Sequence, residues 1–129
     1  WRSEADTKEF EKRTAILVDQ FDHAGHNGKL TLGENIGDNV GLTASFQAAS
    51  MNPKFDNDTR KKFFLQYAHV WCSIYRPSFE EQQLKTNPHA LGWARTNEQI
   101  KQQAKFKETF MCKDGDKMVL PEDKIVHIW

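Results

Sequence analysis

Two carboxylates stand four residues apart in the stretch Gly33-Glu-Asn-Ile-Gly-Asp-Asn39. On a helix, four residues turn the chain by about 400°, so Glu34 and Asp38 share one face about a turn apart. Like charges at that spacing repel unless something cationic sits between or beside them. Solvent, a lysine or a metal would each answer the repulsion. An arbitrary Glu-x-x-x-Asp is a solvated helix face, but three features speak for more here. The neighbours are small and apolar, the glycines allow close approach, and Asn35 and Asn39 add polar groups to the same segment. A carboxylate held in such surroundings takes a cation partner.

The five histidines contain no His-x-x-x-His pair. His23 and His26, three residues apart in a Gly- and Asn-rich stretch, read as surface histidines on a loop. His69 falls in a densely apolar segment and reads as a hydrogen-bonded core or edge residue, while His127 is uninformative. His89 follows a proline in Asn87-Pro-His-Ala-Leu-Gly-Trp-Ala-Arg95 and precedes Arg95 by six positions; taken alone it is a surface histidine. Asp114-Gly-Asp116 resembles part of a calcium loop, but its downstream ligands are missing and a plain turn is the better reading. Cys72 and Cys112 are 40 residues apart and match no zinc-knuckle or Cys-x-x-Cys spacing. They are free to pair with each other, to pair outside the chain, or to stay reduced.

Helices must position these groups. Ser3 and Asp6 form a capping pattern ahead of a predicted helix reaching about Phe21, with Phe10, Thr14, Leu17 and Phe21 on one stripe. A second is predicted from about Thr31 to Ser50, and its three glycines, each costing about 1 kcal/mol relative to Ala, imply close approach of another backbone or a ligand. A third starts at cap candidates Asp56 to Thr59, runs to Arg76-Pro77 and reads as buried on most faces. A short helix capped by Ser78 runs to about Lys85, Thr86 to Thr96 reads as irregular, and a last helix spans Asn97 to Phe110. No strand pair or repeat is evident, so the fold class is mainly α. The 129 residues suit one modest domain or part of a larger one, and the balanced charge, 18 against 18, gives no pull toward nucleic acid or an anionic membrane. No apolar run approaches the roughly 18 residues needed to span a bilayer. Residue 1 is Trp, so the chain is not expected to start at a native terminus.

Five pieces in order and spacing carry a resemblance that covers nearly the whole chain. They are FEKRTAILVDQF, NGKLTLGENIGDNVGLTASFQAA, FFLQYAHVWCSIYRP, the His89 to Arg95 block, and FKETFMCKDGDKM with the terminal Trp129. Together they resemble the C-terminal segment of neprilysin and endothelin-converting-enzyme-type zinc metallopeptidases, a helical portion of a thermolysin-like catalytic domain. The resemblance implies that Glu34 is the third protein ligand of a catalytic zinc. It makes Asp38 the acceptor for a zinc-bound histidine, fixing that histidine's tautomer. His89 would donate to the oxyanion of the tetrahedral intermediate, Arg95 would bind a substrate backbone carbonyl, and Val70 and Trp71 would help line the apolar pocket just after the scissile bond. The implied substrates are oligopeptides.

The family's His-Glu-x-x-His helix, with two zinc ligands and the general base, is absent from this sequence and is expected a short distance before Trp1. The remainder of the catalytic domain and an N-terminal domain are thus implied partners, and these residues alone are expected to be inactive and to hold zinc poorly. Secreted animal members carry a bridged cysteine pair where Ile16 and Val126 stand here, and the partners of Cys72 and Cys112 lie in the distant N-terminal part. Their replacement makes a bacterial or otherwise disulfide-poor origin plausible, cytoplasmic or extracytoplasmic. The rival readings are a non-catalytic relative that binds peptides without cleaving them, and an independent helical interaction module.

Overall fold

The computed structural model describes residues 2–128; Trp1, and the Trp129 quoted in the resemblance, lie outside the described residues. Among the described residues the chain is all helical and has no strand, as the sequence pattern implied. Six α-helices follow one another: α1 (Glu4–His23), α2 (Gly28–Ser50), α3 (Asn57–Val70), α4 (Pro77–Thr86), α5 (Gly92–Lys101) and α6 (Ala104–Phe110). A 3-10 turn at Glu122–Lys124 lies in the tail. None of the described helices is long and apolar enough to cross a membrane.

Local chemistry starts most of them. Ser3 Oγ accepts the Asp6 N–H and the Asp6 carboxylate accepts the Ser3 N–H, both at 3.1 Å, a reciprocal cap for α1. Asn27 caps α2 by accepting the Leu30 N–H at 3.0 Å, so this helix begins three residues before the predicted Thr31. Asp56 caps α3 through the Thr59 N–H at 2.9 Å. Pro77, not Ser78 as cap, opens α4, where its fixed φ suits the first helical position.

Two apolar clusters hold the helices together. Leu17 and Phe21 of α1 meet Ala90 and Ala94, with Val126 and Ile128 of the tail closing over them. Leu42 and Phe46 of α2 meet Phe64 of α3 and Ile100 of α5, with Phe106 and Phe110 of α6 at the edge. Phe46 and Phe64 stack at 5.4 Å between ring centroids, and burying such a side chain contributes about 1.5–3 kcal/mol. Because α2, through Leu32 and Ile36 packed against the first cluster, and α5 enter both clusters, their relative placement is strongly held. Ile16 and Val126 belong to the first cluster, so apolar packing occupies the place where the resemblance puts a cysteine pair in animal relatives. Cys72 and Cys112 are not bonded to each other.

Several sequence expectations need correcting. Helix α3 stops at Val70, not at Arg76, and only Phe64 on it is fully buried. His69 is exposed, so it is not a core residue. The segment expected to be irregular up to Thr96 turns helical at Gly92, and the expected last helix breaks at Gln102 and Gln103. That break serves a purpose: Gln102 Nε2 donates to the Gln20 side chain at 2.6 Å and to the Lys124 carbonyl at 3.0 Å, and its Oε1 accepts the Val126 N–H at 2.8 Å. The glycines of α2 do not explain themselves within this chain, since a Cβ at Gly33, Gly37 or Gly41 would meet nothing within 4 Å among the described residues. Close approach occurs instead at Gly28, where a Cβ would lie 2.2 Å from the Val18 carbonyl, and at Gly92, where it would lie 2.2 Å from the Trp71 carbonyl.

Candidate active site

Glu34 and Asp38 lie one turn apart on α2, and each meets a residue from the segment 89–95. The Glu34 carboxylate lies 3.1 Å from His89 Nε2, with both side chains roughly half exposed. The other His89 ring nitrogen, Nδ1, lies 3.0 Å from Asn87 Oδ1, which also accepts the His89 N–H at 2.8 Å. Both ring nitrogens thus face oxygens that accept, and the single N–H of a neutral imidazole can serve only one of them at a time.

Asp38 is engaged more fully. Arg95 Nε donates to one of its carboxylate oxygens and Nη2 to the other, each at 2.7 Å. The guanidinium carbon also lies over the Trp71 ring, 3.6 Å from its centroid. Burial opposes the Arg95 charge, but the hydrogen bonds and charge of Asp38 prevail, aided by Tyr67 and Glu34, and hold the guanidinium pKa above its ordinary value. The Tyr67 hydroxyl donates to the Arg95 carbonyl at 3.1 Å. Burial, reinforced by the Asp38 charge, pushes that phenol up to about 12, so it remains a neutral donor.

The segment carrying His89 and Arg95 is anchored from three sides. Gly92 packs against the Trp71 carbonyl, and its N–H donates to the Tyr75 hydroxyl at 3.4 Å. The Leu91 N–H donates to His26 Nε2 at 3.1 Å. His26 is thus buried, not a surface histidine, and burial lowers its pKa from the ordinary value despite the Ala24 carbonyl and the Glu98 and Glu80 charges. Tyr67 and Asn87 escaped the sequence reading because nothing in their local spacing marks them, and His26 was read only as a surface histidine of a loop; the fold alone brings all three to the segment. Val70, well exposed, and Trp71, half-buried, sit at the end of α3 beside Arg95 and line a cleft with Tyr75, Asn87, His89 and Leu91.

The donor set bears on a metal in one way. Among the described residues no three His, Cys, Asp or Glu side chains converge into a metal-binding group. Glu34 fits as one ligand of a larger set: it is an anionic oxygen donor, half exposed, and the flanking Gly33 and Gly37 leave open space on the helix. Asp38 does not suit direct ligation as it stands, since both its oxygens are committed to Arg95.

The model of Peptidase family M13 matches residues 1–126. The chain is 32% identical to neprilysin of Homo sapiens over 147 aligned positions, a match that covers 100% of this chain and 19% of that protein. It is 32% identical to neprilysin-1 of Caenorhabditis elegans and 32% identical to endothelin-converting enzyme 1 of Bos taurus, each match covering 92% of this chain and 18% of the relative. The chain therefore spans about a fifth of the length of these curated relatives.

Proposed function

The chain belongs to Peptidase family M13, and on that premise we propose that it works as the C-terminal part of the catalytic domain of a zinc endopeptidase that hydrolyses oligopeptides with an apolar residue after the cut. The observation that carries this reading is the convergence of Glu34 with His89 and of Asp38 with Arg95, two contacts made by one face of α2 with one short segment.

In this reading Glu34 supplies one ligand to zinc, and the other ligands come from a segment outside this sequence. When bound, zinc supplies Lewis-acid polarisation of the scissile carbonyl and activation of water. The chain's own groups do the rest of the work assigned here. His89 Nε2, which faces Glu34, is the donor that a carbonyl oxygen polarised beside Glu34 would meet, and its hydrogen bond strengthens as negative charge develops there. Asp38 retains lone pairs beyond those used by Arg95, enough to accept a hydrogen bond from the ring N–H of a histidine ligand and orient it. Arg95, fixed by Asp38 and Trp71 through Nε and Nη2, keeps Nη1 without a partner among the described residues, available to a backbone carbonyl of the substrate. Val70 and Trp71 offer apolar surface to the side chain that follows the cut.

The test is metal retention in the longer protein that carries this chain. Glu34→Gln replaces an anionic ligand with a weak neutral one, and zinc content measured after dialysis is expected to fall to near zero, together with peptide hydrolysis. Stoichiometric zinc and parental rates in that variant would overturn the assignment. The 129 residues alone are expected to show no chelator-sensitive peptide cleavage.

A further inference from the structure

We propose that His26 is a positioning residue of this site: by accepting the Leu91 amide proton it fixes the start of α5 and so places His89 and Arg95 against Glu34 and Asp38. The proposal rests on the reading of His89 and Arg95 as substrate-handling groups. It begins with an accounting problem. Leu91 is buried and stands as the N-cap of α5, and its carbonyl already accepts the Ala94 and Arg95 amides, both at 2.9 Å. Its own N–H needs an acceptor that cannot be water in such a place. Among the described residues no sequence neighbour supplies one. The acceptor is His26 Nε2, 65 positions earlier in the chain, at 3.1 Å.

The ring is held for this task. Its Nδ1 lies 3.0 Å from the Ala24 carbonyl, which can only accept, so Nδ1 carries the proton and Nε2 is left bare. Phe21 meets the ring edge-on at 6.2 Å between centroids, and Trp93 covers it at 5.4 Å. The charged groups acting on it, Glu98 of α5 and Glu80 of α4, favour protonation, but burial outweighs them and keeps the ring neutral. A protonated Nε2 would set one N–H against another. His89 stands two residues before Leu91 and Arg95 four after it, so both inherit its placement.

The geometry supplies its own control. Leu91 has φ −63°, the angle proline imposes, so Leu91→Pro deletes the amide proton without demanding a new backbone angle. Removing donor and acceptor together is far less costly than removing the acceptor alone.

The experiment compares variants of the zinc-loaded longer enzyme by kcat and KM on one short peptide. His26→Leu, which strands the Leu91 N–H, is expected to lower kcat/KM by about tenfold, the equivalent of one lost buried hydrogen bond. His26→Gln, whose amide oxygen reaches toward the place of Nε2, is expected to retain most of the activity. His26→Leu combined with Leu91→Pro is expected to recover most of the loss, which a role in ring packing alone would not produce. The proposal is overturned if His26→Leu stays within about twofold of the parent, or if the double variant is no better than His26→Leu. Nitrogen NMR of histidine-labelled parent near neutral pH keeps the question decidable if the Leu variants fail to fold. A His26 ring with bare Nε2 supports the proposal, and one protonated at Nε2 overturns it. A parent enzyme that cleaves no peptide would defeat the proposed function, while the NMR result would still report on the hydrogen bond itself.

Discussion

Asp38 and Arg95, 57 residues apart in the chain, meet through two parallel hydrogen bonds of 2.7 Å between α2 and α5. Their side chains keep only 12% and 15% exposure, and the guanidinium lies over Trp71 at the end of α3. One ion pair thus ties the middle of α2 to the start of α5 and the end of α3 at the place where the site forms.

Arg95→Lys is the informative substitution for that pair. Lysine keeps the charge but can neither donate two parallel bonds to a carboxylate nor lie flat on an indole. The variant is expected to lose about 2–3 kcal/mol of stability in urea unfolding, somewhat below the usual cost of breaking a fully buried pair. Asp38→Asn should cost a similar amount. The double variant should lose less than the two singles summed, because each single removes the same contact. Additive losses would show that the pair is not coupled.

His89 and Arg95 should separate in kinetics. If His89 acts on charge that develops only after water attacks, His89→Ala lowers kcat by about a hundredfold or more with little change in KM. Arg95→Ala should raise KM more than it lowers kcat, since its target carbonyl is present in the bound substrate from the start. Zinc content must match the parent in both. A His89→Ala variant altered only in KM would contradict the assignment.

Glycine substitutions should divide cleanly by position. A Cβ at Gly92 would meet the Trp71 carbonyl at 2.2 Å, so Gly92→Ala must move α5 or the end of α3 and is expected to lower stability by about 1–3 kcal/mol. Gly37 has nothing within reach of a built Cβ, and within this chain Gly37→Ala should be neutral or stabilising by up to about 1 kcal/mol. Thermal melts of the two variants side by side would check this. If Gly37→Ala proves costly only in the longer protein, something there packs on that face.

Acid should loosen the segment 87–92 through His26. Burial depresses the His26 pKa in the folded state below the ordinary histidine value. The unfolded chain therefore binds the proton first, and stability rises with pH across the interval between the two values. The contribution is complete above about 6.5 and is lost progressively as the pH falls from there through the folded pKa. His26→Gln carries no titrating ring, so its stability should be flatter over that interval in urea titrations at successive pH values. Identical pH dependence in parent and variant would show that the ring does not titrate with unfolding.

The first helix was legible because its signals are local. The Ser3–Asp6 cap and the stripe through Thr14, Leu17 and Phe21 operate within a few turns, and all of these behave in the fold as the spacing implied. The apolar density of residues 59–75 misled for the complementary reason. The segment reads as buried on most faces, yet Leu65, Val70 and Ile74 are exposed on this chain and only Phe64 of α3 finds full cover. Composition registers which side chains are apolar but not which neighbours arrive to cover them.

The sequence by itself determined the helical class, the caps of α1 and α3, and the pairing of Glu34 with Asp38 on one helix face, because each depends on residues a few positions apart. His89 and Arg95 were singled out only by the family resemblance, as an oxyanion donor and a substrate-carbonyl ligand, and not as partners of that face. Only the tertiary structure decided that Arg95 engages Asp38 with two nitrogens, that His89 turns Nε2 toward Glu34, and that a histidine from the α1–α2 turn supplies the acceptor for Leu91. Those contacts join segments more than 50 residues apart. They exist because two apolar clusters lock α2 against α5, and no local preference of the chain encodes that geometry.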